Sequence, residues 1–277
     1  MKKNGFHLDI SANPGSKTTQ SASLLKNEGV IIANDPVRTR FPKLIENLDS
    51  QKVLNTLPVS LRGEVLHEFF QNFFDTAIVD PPCSSLGRNS HLNWFPKKSK
   101  ILSIQQEKIL RSAFFALKNG GELIYSTCTT RPEENELVIE NFLRKFSDKC
   151  ELVNLREEFE KIIDKKNVET LHTTSLRNEN FLEDFSQKKE TYKKVRDEIW
   201  EKTLSLKDLG EGFFIAKIVK KSESFFKEKE KKIFCNLEDL KETDKKVSFT
   251  FNNKKVEIQK NLWEKVEGKF ERRNFEK

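Results

Sequence analysis

Two cysteines follow short apolar runs of the chain. Cys83 ends the segment DPPC after the run 76–79, and Cys128 ends the segment YSTC. A thiolate is a strong nucleophile that forms covalent intermediates, whereas a single thiol in such a place is more often a small buried apolar group. Because neighbouring parallel strands end at the same rim of a sheet, two thiols at strand ends could act together.

A second group of polar and small residues surrounds the first apolar run. Asp9 ends that run, and a turn of small residues then leads to Lys17, so the backbone could approach a bound ligand closely. Asp35 ends the next run, where a carboxylate could accept both ribose hydroxyls of a nucleoside. The segment lacks the full dinucleotide glycine fingerprint, and aspartates at strand ends are also common turn formers. The small and polar residues of the turn are Ser11, Ala12, Pro14, Gly15 and Ser16.

Alternating apolar runs and amphipathic segments must position these residues, and this alternation is typical of βαβ units around a mainly parallel sheet. The runs predict strands at 6–10, 29–33, 76–79, 122–126 and 212–219. Helices are predicted at 17–26, over 101–117 with a stop at Asn119-Gly120-Gly121, and from Pro132 with an acidic first turn. The fold class is therefore α/β.

Composition narrows the class of partner. Lys and Arg number 50 against 43 Asp and Glu, a net charge of +7 that favours a polyanionic partner such as nucleic acid. No run of about 20 apolar residues could span a bilayer, and no apolar segment of a secretory signal follows Met1. The four cysteines have neither CxxC spacing nor paired histidines nearby, so neither zinc nor a disulfide framework is expected. We expect an intracellular protein.

The chain divides at a change of composition near residue 220. Residues 1–220 form the predicted catalytic domain, with a charged insertion at about 157–207. Residues 221–277 form a basic extension in which 247–251 and 254–259 flank Asn252-Asn253, the pattern of a β-hairpin. Charge runs usually face water, and an RNA-binding patch is the alternative for this extension.

Three ordered motifs resemble one family. LDISANPGSKTTQ resembles the cofactor motif of the Sun-family (NOL/NOP/Sun) RNA cytosine-C5 methyltransferases, DPPCSS their proline-cysteine motif, and YSTCTTRPEENE their nucleophile motif. The resemblance covers 7–146 and 211–221. Four further features are similar to the eukaryotic tRNA branch of this family: PGSKTTQ, VIIAND, GFF, and Arg88 with Asn89. The resemblance implies a class I S-adenosylmethionine-dependent methyltransferase fold (Rossmann-like, with helices on both faces), tRNA as substrate, and the nucleus or nucleolus as location, with the cytoplasm as alternative.

The resemblance also implies roles for individual residues. Cys128 attacks C6 of the cytosine and Cys83 assists release, while Asp80, tuned by Lys17, neutralises charge at N3. The target base must leave any stack. The residues implied in binding S-adenosylmethionine are Asp9, Ser11, Ala12, Pro14, Gly15, Ser16, Lys17, Asp35 and Asp80.

Two departures from the family pattern leave alternatives open. The family has an RNA-binding segment before its cofactor motif, whereas Met1 lies only eight residues before Asp9, and Leu57 stands where the family has an aspartate that contacts adenine. The alternatives are a noncatalytic RNA- or partner-binding remnant, or half of a split enzyme whose N-terminal RNA-binding segment is a separate chain.

A DNA cytosine methyltransferase is disfavoured because there the proline-cysteine loop supplies the nucleophile. An amino-group methyltransferase is disfavoured because its DPPY-type loop needs an aromatic residue at Cys83.

Overall fold

The protein is described here from a computed structural model. The structure describes residues 1–85, 96–159, 193–206, 213–221, 231–235 and 237–272. Arg88, Asn89 and most of the predicted insertion at 157–207 lie outside these ranges. Within them, no helix combines the length and the apolar character needed to cross a bilayer.

Eight strands form the main sheet. They are β1 (Phe6–Asp9), β2 (Val30–Asn34), β3 (Thr56–Val59), β4 (Phe74–Val79), β5 (Leu117–Thr127), β6 (Cys150–Leu152), β7 (Leu204–Leu206) and β8 (Phe213–Lys220). The strand order is β3-β2-β1-β4-β5-β8-β6, and β7 pairs with β8. Strands β1 to β4 pair in parallel, whereas β6 and β7 run antiparallel to β8. The predicted α/β class with a mainly parallel sheet is confirmed.

Six α-helices occur in the described ranges. They are α1 (Ser16–Leu25), α2 (Phe41–Ser50), α3 (Pro96–Ala116), α4 (Glu136–Phe146), α5 (Asp197–Lys202) and α6 (Lys260–Val266). Short 3₁₀ turns lie at Arg38–Arg40, Gly63–Glu68 and Glu267–Lys269. The chain separates into two compact units, which are described in turn.

The first unit comprises Met1–Asp80, Arg111–Leu123 and Ser222–Lys277. Every residue of β2 is buried, as is typical of parallel strands that are covered on both faces. Apolar side chains of α1 and α2 pack with those of β2 in one cluster. The register pairs Asp9 with Ala33 and with Ile78, so the carboxyl ends of β1, β2 and β4 lie side by side.

The second unit comprises Pro81–Leu110 and Ile124–Lys221. Side chains of β8 alternate between half-buried and buried, as expected of a strand with one covered face. Helix α4 turns Val138, Ile139 and Phe142 inward. The ring of Tyr125 meets that of Phe214 edge to face, with centroids 6.2 Å apart.

The starts of β5 and α4 differ from prediction. Helix α3 ends at Ala116, one residue before the predicted end. Strand β5 begins at Leu117, five residues before the predicted strand, so the glycines lie within β5. The carbonyls of Phe115 and Ala116 accept bonds from the amides of Asn72 and Phe73 (3.2 and 2.7 Å) at this junction. Helix α4 begins at Glu136 and not at Pro132. The four residues before it form turns held by buried side chains described below.

The C-terminal extension contains a small sheet of its own. It is built from β10 (Leu237–Glu242), β11 (Lys246–Phe251) and β12 (Lys254–Gln259), while β9 (Ile233–Cys235) pairs with β13 (Phe270–Arg272). Strands β11 and β12 form a hairpin whose turn residues Asn252 and Asn253 have φ of 47° and 67°, as a tight hairpin turn requires. The amide of Glu257 donates to the carbonyl of Leu54 (2.8 Å), so the hairpin packs beside β3. The division at residue 220 stays a prediction.

Candidate active site

The predicted cofactor loop connects β1 to α1. Asp9 is the last residue of β1, and Ser16 and Lys17 begin α1. Gly15 precedes the helix with φ of 110°, and a Cβ at that position would lie 3.1 Å from Leu44 Cδ1. Both the left-handed backbone and the close approach of α2 therefore require glycine there.

Side-chain amides attach this loop to α2 and to the turn before it. Asn13 Nδ2 donates to the carbonyl oxygen of Arg40 (2.6 Å), and Asn47 Nδ2 donates to that of Pro14 (2.6 Å). Both bonds are exposed to solvent. The middle of the loop is thus held by two separate and individually weak bonds.

Asp9 is the most buried of three aspartates at the carboxyl ends of β1, β2 and β4, the others being Asp35 and Asp80, and it is only 1% exposed. Its Oδ2 accepts a bond from the Thr18 hydroxyl (2.6 Å), whereas Oδ1 has no hydrogen-bond partner in the described part of the chain. Burial raises the pKa of Asp9 to about 6. The hydrogen bond from Thr18 lowers this pKa, and the negative charge of Asp80 raises it further. A buried acceptor of this kind fits a ligand that brings a hydrogen-bond donor or a positive charge.

Asp35 and Asp80 follow β2 and β4 at the same rim. Asp35 is buried, accepts a bond from the amide of Val37 (2.8 Å) and lies 3.9 Å from the guanidinium of Arg40. Asp80 forms an ion pair with Lys17, and both side chains are about a quarter exposed. The structure therefore brings together Lys17, Asp80 and Asp9, as the sequence motifs predict for this rim.

The two thiols of the second unit lie in contact. The Sγ atoms of Cys83 and Cys128 are 3.0 Å apart, both residues are half-buried, and the Ser85 hydroxyl lies 3.5 Å from Cys128 Sγ. The hydrogen bond with Cys128, together with burial, raises the pKa of Cys83 far above its usual range. One thiol of this pair therefore keeps its proton and can donate it to a thiolate at the other.

A buried carboxylate holds the loop of Cys83. Glu134 is fully buried, and its Oε2 accepts bonds from the amide of Ser84 (2.9 Å) and from Gln106 Nε2 (3.0 Å), while Oε1 accepts from the Ser99 hydroxyl (2.7 Å). Gln106 also donates to the carbonyl of Pro82 (3.0 Å). These donors are uncharged, so the carboxylate acts as a shared hydrogen-bond acceptor. It holds the Ser84 amide and the side chains of Gln106 and Ser99 next to the DPPC loop.

The loop of Cys128 is attached to the same cluster. The hydroxyls of Ser84 and Thr129 are 3.0 Å apart, which joins the residues that follow the two thiols. Asn135 donates to the carbonyl of Thr129 (2.8 Å), and the Thr127 hydroxyl donates to Asn135 Oδ1 (2.5 Å). Tyr125 donates to the carbonyl of Glu134 (2.6 Å). These bonds hold 132–135 in turns and delay the start of α4.

Sequence reasoning missed Glu134 and Asn135 as parts of this site. It assigned them to the first turn of a helix because an acidic segment after proline is typical of a helix N-terminus. The available signal was their place within YSTCTTRPEENE, directly after the second thiol.

The position of Leu57 also differs from expectation. Leu57 lies within β3, pairs with Ile32 and is fully buried, so it is a core residue. The strand ends at Val59, and beyond it the backbone of Leu61 bonds both the amide and the carbonyl of the Asn34 side chain (3.0 and 2.9 Å).

Comparison with known proteins identifies a family and several relatives that match this chain. A family model described as 16S rRNA methyltransferase RsmB/F matches residues 1–219. Ribosomal RNA small subunit methyltransferase F of Aeromonas salmonicida is 36% identical over 164 residues, covering 57% of this chain and 34% of that protein. The tRNA (cytosine(49)-C(5))-methyltransferase of Pyrococcus abyssi is 42% identical over 153 residues, covering 53% of this chain and 49% of that protein. The chain thus spans a third to a half of the length of these curated relatives.

Solved structures share the fold. A methyltransferase homolog protein from Pyrococcus horikoshii has a TM-score of 0.57 and 31% identity, over 80% of this chain and 63% of that one. NSun6 from Pyrococcus horikoshii, solved with SFG, has a TM-score of 0.59 and 26% identity, over 79% of this chain and 49% of that one. The predicted Rossmann-like methyltransferase fold is confirmed.

Proposed function

Because this chain belongs to the 16S rRNA methyltransferase RsmB/F family, we propose that it transfers a methyl group from S-adenosylmethionine to carbon 5 of a cytosine in RNA. The observation that carries the proposal is the contact between the thiols of Cys83 and Cys128 at 3.0 Å. Cytosine C5 is a poor nucleophile, and a covalent bond from a thiolate to C6 activates it. A second thiol suits the later step in which that bond must break.

The first unit fits the cofactor. Oδ1 of Asp9 is a buried acceptor without a partner among the described residues, and the buried carboxylate of Asp35 follows the neighbouring strand. S-adenosylmethionine supplies an electrophilic methyl group and carries the positive charges and hydroxyls that such acceptors bind. We assign its binding to the loop from Ser11 to Lys17 together with Asp9, Asp35 and Asp80.

The thiols divide the covalent work. The thiolate of Cys128 adds to C6, and the electron pair of the C5–C6 double bond becomes available at C5. This pair would form the bond to the methyl group, while the methyl–sulfur bond of the cofactor would break with its electron pair returning to sulfur. After transfer, the C5 proton passes to a base, the electron pair of the C5–H bond restores the double bond, and the thiolate of Cys128 leaves. Cys83, whose Sγ lies 3.0 Å from that of Cys128, stays next to the departing sulfur and assists release.

Asp80 and Lys17 act on the pyrimidine ring. Addition of the thiolate places negative charge on the ring, and a protonated carboxyl group near N3 would neutralise this charge by giving its proton to N3. The ion pair with Lys17 is the state that follows this transfer, because the ammonium group stabilises the carboxylate of Asp80 that is left.

We propose tRNA as the RNA, with ribosomal RNA as the second candidate. The tRNA methyltransferase of Pyrococcus abyssi is 42% identical in the matched region, whereas the family model and the methyltransferase F relatives favour ribosomal RNA. A nuclear location stays a prediction of the eukaryotic resemblance.

The test is methyl transfer by the purified chain. Unmodified tRNA transcripts and a 16S rRNA transcript are incubated with S-adenosylmethionine, and 5-methylcytosine is measured by mass spectrometry of nucleosides. We expect 5-methylcytosine in tRNA with the native chain, none with Cys128→Ser, and normal amounts with Cys150→Ser, a matched control whose buried thiol lies outside the motifs and bonds the carbonyl of Phe146.

Each other result favours a named alternative. Product in ribosomal RNA alone would select the second substrate. Cofactor binding with transfer only after addition of a relative's N-terminal RNA-binding segment would indicate a split enzyme. Absence of both cofactor binding and transfer would overturn the proposal in favour of a noncatalytic protein.

A further inference from the structure

A cavity of about 420 Å³ lies between α2 and the turn of the C-terminal hairpin, within the first unit. It is lined by Arg38, Phe41, Pro42, Ile45, Asn252 and Asn253. None of these residues belongs to the predicted cofactor or catalytic set. Its volume lies within the range of sites that hold small ligands.

The hairpin side of the cavity is firmly anchored. Asn252 Nδ2 donates to the carbonyl oxygen of Pro58 (2.8 Å), next to the last residue of β3. Lys254, whose side chain is only 1% exposed, pairs with Asp49 of α2 (2.8 Å). The cavity therefore lies by the carboxyl end of β3, at the edge where parallel sheets bind their ligands, and its wall is rigidly attached to the sheet.

Arg38 brings uncompensated positive charge to this cavity. It is exposed and makes no ion pair within the ranges that the structure describes, whereas its neighbours Arg40 and Lys43 each face an acid, Asp35 and Glu46. Asn253 is exposed, and its side chain makes no hydrogen bond to other described residues. An arginine and an amide at one cavity thus remain available to a ligand.

We propose that this cavity binds an unpaired nucleotide of the RNA substrate. An aromatic ring on which a base stacks, a guanidinium for the phosphate and an amide for the base edge are the groups with which proteins bind single-stranded RNA. Phe41, Arg38 and Asn253 supply these three groups. The inference rests on the proposed function in that the nucleotide belongs to the RNA that is methylated, and it adds the extension to the surface that recognises this RNA.

The experiment measures binding of a fluorescein-labelled, single-stranded RNA of eight nucleotides by fluorescence anisotropy, at fixed salt. We expect Phe41→Leu to weaken binding about tenfold, because stacking on an aromatic ring is lost. Arg38→Ala should weaken it about fivefold through the lost phosphate contact. Asn253→Gly should weaken it about threefold while glycine keeps the left-handed turn conformation.

The matched control is Lys3→Ala. Lys3 is about half exposed, faces Glu28 at 3.8 Å and precedes β1, at the opposite end of the strands. This control loses one positive charge as Arg38→Ala does, so binding that depends on net charge alone would fall equally in both. Duplex RNA of the same sequence should bind all variants alike.

Three results would overturn the inference. They are unchanged RNA binding in all three cavity variants, a loss of affinity in Lys3→Ala equal to that in the cavity variants, and no binding of the single-stranded RNA by the native chain. If Phe41→Leu unfolds, Arg38→Ala and Asn253→Gly decide, because both residues are exposed. Methyl transfer is measured in parallel. Methyl transfer by the native chain, together with unchanged RNA binding by the three variants, would refute the inference about the cavity alone. Weaker RNA binding by the variants without any methyl transfer would refute the proposed function alone.

Discussion

The loop that we assign to the cofactor and the loops that carry the thiols are held differently. The amide of Ala12 joins the first loop to the sheet through the carbonyl of Asn34 (2.8 Å), but the middle of this loop depends on exposed amide bonds, from Asn13 to Arg40 and from Asn47 to Pro14. The second depends on Glu134, fully buried, whose carboxylate accepts from three different residues. Loss of one exposed bond leaves groups that water can satisfy, whereas loss of a buried acceptor leaves several donors unsatisfied at once.

This difference suits the two tasks. A cofactor must enter and leave, so its loop can be held by bonds that break singly. Two thiols that act on one carbon must stay in fixed relation, because a displacement of about 1 Å can cost about 10²-fold in rate. Substitutions should therefore have graded effects in the first unit and abrupt effects in the second.

The largest effect is expected from Cys83→Ala. Release of the product should slow by at least about 10³-fold, while attack by Cys128 continues, so a covalent protein–RNA adduct accumulates. Denaturing electrophoresis with labelled RNA measures the adduct, and the double variant Cys83→Ala with Cys128→Ser should form none. Complete loss of adduct in Cys83→Ala, with cofactor and RNA still bound, would reverse the assigned roles.

Glu134→Ala tests whether the buried carboxylate positions the thiols. Turnover should fall about 10²-fold with some adduct accumulating, because the amide of Ser84 loses its acceptor and the Cys83 loop moves. Glu134→Gln, which keeps the side-chain shape and one carbonyl oxygen, should restore most of the turnover. Glu107→Ala is the control, since that acid of α3 pairs only near the surface with Lys145. Native turnover in Glu134→Ala would show that the cluster has no part in positioning.

The pH dependence of cofactor binding separates the two regions further. The buried carboxyl of Asp9 has a pKa of about 6, so at pH 5 about a tenth of it is ionised and the positively charged cofactor should bind about tenfold more weakly than at pH 7.5. Isothermal titration calorimetry at both pH values measures this, and Asp9→Asn should abolish the difference. A pH-independent affinity in the native chain would exclude Asp9 as the group that binds the cofactor's charge.

Folding stability should fall as the pH rises and Asp9 ionises, whereas affinity for the cofactor should increase. The pKa of Asp9 in the folded chain lies above its ordinary value of 3.8, so ionisation of the buried carboxyl costs stability as the pH rises through about 6. Asp9→Asn should therefore raise Tm at pH 7.5 and change it little at pH 4, for a gain of at most about 3 kcal/mol. Thermal unfolding at the two pH values measures the effect, and an equal change at both would contradict this cause.

The smallest effect is expected from Asn47→Ala. It removes one exposed bond to the cofactor loop, worth about 1 kcal/mol, so affinity for S-adenosylmethionine should fall about fivefold. Ser50→Ala, at the end of the same helix, is the control. A loss near 10²-fold would show that the two regions are held alike after all.

Much of the fold was predictable because its signals are local. Apolar runs located β1, β2, β4 and β8 to within two residues, and Asn252-Asn253 located the hairpin turn. Strand β3 and helix α2 were missed, and Leu57 is a core residue of that strand. The starts of β5 and α4 were wrong because distant partners, the Asn72 amide and the Glu134 cluster, decide them.

By itself, the sequence determined which chemical groups stand at which strand ends, since those motifs are contiguous and their residue types carry the chemistry. Only the tertiary structure decided which polar groups bond to each other: Ser84 with Glu134 across 50 residues, and Asn252 with Pro58 across 194. Local propensity cannot specify such contacts, because they form only when burial in a common core forces separate polar groups to find each other as partners.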